Sequence, residues 1–201
     1  MPVTLNASTS SGLVQTADTS GIIELQSNGT TKLSVLSTGV SGVITQGTAV
    51  ASTSGTSIDF TDIPSWTKRI TVMFSAVSGN GTSGFLIQLG DSGGIETTGY
   101  TGAAGVMVNA ASSSVGNLST GFGIYNGGNL FNIYGNATIC LLNATTNLWS
   151  FSFSGANGNT ANVIVSGGTK ALSATLDKIR ITFANGTDTF DAGTINILYE
   201  G

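Results

Sequence analysis

The residues able to do chemistry in this chain are few and mostly acidic. Three carboxylate pairs stand close in sequence: Asp59 with Asp62, Asp91 with Glu96, and Asp188 with Asp191 in "GTDTFDAG". Paired carboxylates serve two chemistries. A glycosidase needs two carboxyls held at a defined separation, one to donate a proton and the other to act as base or nucleophile. Calcium needs six to eight oxygen ligands. Neither arrangement is fixed by these spacings, and acidic residues beside Gly, Thr and Pro are also ordinary turn formers. The chain has no histidine, which removes the usual nucleophile triads and most zinc sites. Cys140, in "YGNATICLLNA", is the sole cysteine, so it has no disulfide partner within the chain and no imidazole to activate it. It reads as a small hydrophobe. No catalytic residue, metal or cofactor is expected from this inventory, and an enzyme survives only as a two-carboxylate glycan hydrolase.

Two further motifs carry less than their letters promise. "GNGTSG", residues 79 to 84, satisfies G-x-G-x-x-G and follows a strand, but "FLIQLG" continues as a strand where a dinucleotide site needs a helix N-terminus. It reads as a hairpin turn. N-x-[ST] triplets recur along a chain this rich in Asn, Ser and Thr, with no leader to deliver it to a glycosylating compartment. More informative is "TGFGIYNGGNLFNIYG", residues 120 to 135, where aromatic rings sit among glycines and amides. Ring faces beside amide side chains suit sugars, which present both C–H surfaces and hydroxyls. Tyr125 and Tyr134 flank the turn "NGGN" and are the candidate ligand contacts.

The elements that must hold these residues are strands. "KRITVMFSAVS" places Ile70, Val72, Phe74 and Ala76 on one face and Arg69, Thr71, Met73 and Ser75 on the other. The same alternation recurs in "FLIQL", "WSFSF", "DKIRITF" and "TINILYE", and each run ends in a Gly or Asn turn. With "IDFTDI", "AGVMV", "GFGIY", "FNIYGNATICLL" and "ANVIV" added, the spacing is that of an all-β, antiparallel sandwich. Periodicity alone leaves sandwich, jelly roll and barrel open. A jelly-roll-like sandwich is the expectation.

The chain divides by composition. Residues 1–46 contain no aromatic side chain, the first being Phe60. "GIIELQSNGTTKLSVLSTGV" reads as a hairpin turning at Asn28-Gly29, and an isolated hairpin is marginal in water. Residues 1–46 are therefore read as an extended hairpin arm that assembles between chains through Ile22, Ile23, Leu25, Leu33, Val35 and Leu36. Residues 47–57 are read as a linker and 58–201 as the head. Charged residues make up only 8% and the net charge is −4, so no basic footprint for nucleic acid exists. Apolar runs of four to six residues are too short to insert in a membrane. The first residues lack the basic and apolar regions of a secretory signal, which predicts retention in the cytosol or release by lysis.

Residues 55–100, "GTSIDFTDIPSWTKRITVMFSAVSGNGTSGFLIQLGDSGGIETTGY", and 176–200, "LDKIRITFANGTDTFDAGTINILYE", resemble the core of a C-terminal domain found in tail-fibre and other virion proteins of tailed bacteriophages. "GLVQTADTSGIIELQSNGTTKLSV", residues 12–35, resembles the arm that often precedes such domains. The resemblance implies a structural protein localised to the virion, commonly a homotrimer, whose arm joins other phage virion proteins and whose head faces outward. Three functions follow from it: a short fibre binding a host surface glycan or protein, a capsid decoration or cement protein, and a glycan depolymerase.

Overall fold

The computed structural model describes residues 23–27, 29–36, 39–41, 44–108, 111–116, 118–124, 132–159 and 162–201. Two compact units divide it, residues 1–44 and 45–201. In the first unit β1 (Ile23–Ser27), β2 (Thr30–Leu36) and β3 (Gly39–Ser41) form a three-stranded antiparallel sheet. Leu25 faces Leu33 across the first pair. The turn depends on Gly29, whose φ of 71° is open to glycine at no steric cost. Of the hairpin expected over residues 21 to 40 the described residues show its two strands paired, β1 with β2, and β3 paired to β2. Leu25 is 52% exposed within the chain and Leu33 half-buried. Ile22 lies outside the described residues, and Ile23, Val35 and Leu36 are described in backbone only.

The remaining strands are β4 (Ile44–Gln46), β5 (Val50–Ala51), β6 (Ser57–Phe60), β7 (Arg69–Gly79), β8 (Phe85–Asp91), β9 (Gly94–Ile95), β10 (Tyr100–Val108), β11 (Ala111–Gly116), β12 (Phe122–Ile124), β13 (Ile133–Asn143), β14 (Leu148–Asn157), β15 (Asn162–Ala171), β16 (Lys178–Phe183) and β17 (Phe190–Glu200). Among the described residues there is no helix. The larger sheet runs β11-β10-β15-β14-β13-β7-β17-β4, with β5 also on β17, and the smaller runs β12-β8-β16-β6, with β9 on β8. The two antiparallel sheets pack as a sandwich. Residues 47–57, expected as a linker, carry β5 and the start of β6. Ser52 is buried there, donating its N–H to Gly193 O (2.9 Å) and its hydroxyl to Ala192 O (2.8 Å).

The core lies where the period-two pattern put it, except beyond Phe74 in β7, where the backbone kink at Ala76 brings Val77 into the core in its place. Ile70, Val72 and Phe74 of β7, Phe151 and Phe153 of β14, and Ile195 and Ile197 of β17 meet Phe85, Ile87, Leu89, Ile179, Ile181 and Phe183 of the smaller sheet. Phe85, Phe183 and Phe190 form an aromatic cluster with ring centroids 4.7 to 5.8 Å apart. At the other side Phe122 stacks on Phe151 at 4.4 Å and meets Tyr100 edge-on at 5.0 Å. These contacts tie β12 of the smaller sheet to the wide flank of the larger one. Strand β8 departs from simple alternation, since the outward Leu86 and Gln88 are buried too. Gly121 lies against both side chains, and Gln88 Nε2 donates to Thr120 O at 2.8 Å.

Candidate recognition surface

Tyr134 stands near the start of β13, between the buried Ile133 and Gly135, and is 43% exposed on the outward face of the larger sheet. Its position follows from a kink that crosses three neighbouring strands. The β13–β7 register shifts between Ile133 and Gly135, and the β17–β7 register shifts on both sides of Ala192. Gly135, Ala76 and Gly193, with φ of 142°, 53° and 98°, lie along this line. An extra residue in one strand bends the pair and re-aims the side chains beside it. Here it presents the Tyr134 ring at the rim of the sheet.

The turn that follows β14 supports this ring. Gly158 N donates to Asn132 O at 2.9 Å, Asn159 N to Asn157 Oδ1 at 3.1 Å, and Asn132 Nδ2 to Asn159 Oδ1 at 3.0 Å. A Cβ on Gly158 would come within 2.8 Å of Tyr134 Cε2, so the backbone of this turn lies directly against the ring edge. A partly exposed aromatic ring thus stands in a collar of amides, the composition the sequence anticipated. Tyr125 lies outside the described residues, so the pairing of the two tyrosines is not part of this geometry.

The carboxylates are engaged elsewhere. Asp59 and Asp62, three residues apart, have different partners: Arg180 holds Asp59 through Nε (2.8 Å) and Nη2 (2.7 Å), while Asp62 accepts from the Thr61 hydroxyl (2.9 Å). Asp188 accepts from Ser83 N (3.0 Å) and Asn185 Nδ2 (2.7 Å), and Asp191 from the Ser78 hydroxyl. Gly81 leaves the room in which the Asp188 carboxylate sits, so "GNGTSG" is a turn sealed by an acid from the neighbouring loop; it is not the expected hairpin turn, because β7 and β8 lie in different sheets and the turn carries the chain from one to the other.

Asp91 and Glu96 do come together. The Ser173 hydroxyl lies 2.7 Å from a carboxylate oxygen of each, Ser173 N donates to Glu96 Oε1 (2.7 Å), Gly93 N donates to Asp91 Oδ1 (2.8 Å), and the buried Lys170 pairs with Glu96 Oε2. Hydrogen bonds from Ser173 and then Gly93 hold the Asp91 carboxyl below its ordinary range. At Glu96 burial is the largest single influence and pushes upward, but Lys170 and Ser173 together outweigh it and the carboxyl again lies low. Lys170 also stands 5.4 Å over the Tyr100 ring, whose hydroxyl accepts from Leu89 N (2.6 Å) and donates to Glu96 O (3.0 Å). The cluster clamps the β8–β9 hairpin to the end of β15. Among the described residues no group of three or more acidic or thiol side chains is placed to hold a metal ion.

Sequence reasoning missed two surfaces. One is a groove of about 360 Å³ on the outward side of the smaller sheet, lined by Thr56, Gln88, Thr120, Arg180, Thr182 and Asn185. The other is a row of exposed apolar side chains beside Tyr134, including Met107, Val163 and Val165. Its signal was present in "AGVMV" and "ANVIV", where apolar residues occupy both faces of a strand. No family model, curated protein or solved structure matches the chain.

Proposed function

We propose that the chain is a non-enzymatic structural protein of a tailed-phage virion, a homotrimeric short fibre that attaches by its N-terminal arm and presents the sandwich to the host surface. The observation carrying this reading is the strand order. Within the larger sheet β5, β17, β7 and β13 are neighbours in that order, and within the smaller β6, β16, β8 and β12. In chain order these eight strands cross between the sheets at every step except β8 to β12, as in a jelly roll, with β10, β11, β14 and β15 inserted and added to one flank. Jelly rolls recur in viral capsid and sugar-binding domains, which agrees with the resemblance of residues 55–100 and 176–200 to phage virion domains.

Tyr134 and its amide collar are the proposed contact for a host glycan, and the hydrogen-bonded state of the carboxylates favours binding over cleavage. Adsorption tests this. Purified full-length protein should block attachment of the phage to its host, and the Tyr134→Ala protein, still folded, should not. Equal blocking by both would remove Tyr134 from recognition, and reducing ends released from host polysaccharide would restore the depolymerase.

A further inference from the structure

The outward face of the smaller sheet carries a groove that Tyr134 and its collar do not use. Asp59 of β6, Arg180 of β16 and Gln88 of β8 are directly paired in register and form one row across that face. Ser57, Thr182 and Leu86 form the next row. Arg180, Gln88 and Thr182 line a hollow of about 360 Å³, within the range of small-molecule sites. Each of these polar groups is held in place and still has capacity to spare. Gln88 is only 7% exposed. Its Nε2 donates to Thr120 O at 2.8 Å, which fixes the amide, since only the NH₂ end can face a carbonyl. Among the described residues no donor reaches the other end, Oε1, and that oxygen is not sealed from solvent. A side chain more than nine-tenths buried thus turns an unpaired acceptor to the groove. Arg180 gives Nε and Nη2 to Asp59, and its Nη1 meets no acceptor among the described residues. The Thr182 hydroxyl donates to Thr56 O at 2.8 Å, which leaves its oxygen lone pairs to accept. Charge cancels locally: Asp59 neutralises Arg180, and Asp177 pairs at 3.2 Å with Lys178, the next outward residue of β16.

We propose that this groove binds a neutral sugar residue, whose hydroxyls donate to Gln88 Oε1 and the Thr182 oxygen and accept from Arg180 Nη1. The donor set decides the class. A hydroxyl donates and accepts at once, so neighbouring hydroxyls of one ring can satisfy a donor and an acceptor on adjacent strands ~4.8 Å apart. A carboxylate or phosphate only accepts. It would leave Gln88 Oε1 unpaired and compete with Asp59 for Arg180. An ammonium only donates, and Arg180 would repel it. Leu86 and Ala184 supply an apolar wall for the C–H groups of the ring. The groove and Tyr134 lie on the outward faces of different sheets, so the head carries two separate sugar contacts. The inference rests on the glycan-binding reading above only for the source of the sugar.

Amide NMR of the full chain, titrated with the methyl glycosides of glucose, galactose and mannose and with N-acetylglucosamine, reads the site directly. At least one sugar should move the Gln88 side-chain NH₂ resonances and the backbone amides of Arg180 and Thr182 saturably. Glucuronate at the same concentration should move them several-fold less. Gln88→Met keeps the bulk of the side chain and removes its amide, and it should weaken the response of Arg180 and Thr182 several-fold. Should that variant not fold, Arg180→Met gives the same reading at Gln88, because an exposed ion pair adds little stability. No response in the groove to any of the sugars, an undiminished response in the folded variant, or a stronger one to glucuronate overturns the proposal. Shifts confined to Gly158 and Asn159 beside Tyr134 overturn it while leaving recognition by Tyr134 standing, and shifts in the groove alone keep it and remove Tyr134. A last titration uses host polysaccharide. The same resonances should move, and their stillness would keep the groove and remove the host glycan as the source of its sugar.

Discussion

At the scale of single residues, the surface around Tyr134 is set by backbone more than by side chains. Gly135 has a φ of 142°, and a Cβ there would approach Ser154 O to 2.4 Å. Gly135→Ala should therefore cost about 1 to 3 kcal/mol, read as a lower urea midpoint with an unchanged slope. Wild-type stability would mean that the kink line through Gly135, Ala76 and Gly193 is not under constraint. The Asp91 and Glu96 carboxyls make a second prediction. Both lie below their ordinary range in the folded chain, so their stabilisation is fully present above the range of free Asp and Glu and is lost as pH falls through the depressed values. Tm should hold steady from neutral pH to about pH 5 and drop below about pH 4. Asp91→Asn should flatten that acid decline, and an identical decline in the variant would assign it to other groups.

At the scale of elements, the period-two runs were fully legible, because each buries one face: "RITVMF", "WSFSF", "KIRITF" and "TINILY" became β7, β14, β16 and β17 with Ile70, Phe151, Ile179 and Ile195 inward. Strand β11 was not legible, since "ASSSVG" has no apolar alternation and is a strand through its backbone pairing with β10. The two-sided burial of β8 was hidden too, because it comes from Gly121 and Thr120 far along the chain. The Asp91–Glu96 pair could be seen in sequence, but Lys170 and Ser173, which decide what it does, could not. Phe122 shows the same dependence on distant partners, stacking on Phe151 and meeting Tyr100 edge-on to tie the sheets together. Phe122→Ala should cost about 3 to 5 kcal/mol in thermal or urea unfolding. A loss below 1 kcal/mol would mean that the flank closes without it.

At the scale of the whole molecule, the arm poses a sharper question than the head. Leu25 is 52% exposed in the single chain, so Leu25→Asp should leave an isolated copy undisturbed. In a homotrimer it would place an unpaired charge in the interchain core of each copy, a cost of several kcal/mol per site. The predicted result is a folded head that sediments as a single chain and is missing from particles. A variant that still forms trimers would show that β1 and β2 do not join chains. The fibre reading itself is tested most directly by counting copies of the chain in purified virions by quantitative mass spectrometry. Tens of copies, in a multiple of three and located at the tail, are predicted. Hundreds of copies spread over the capsid would contradict a fibre and identify a decoration protein.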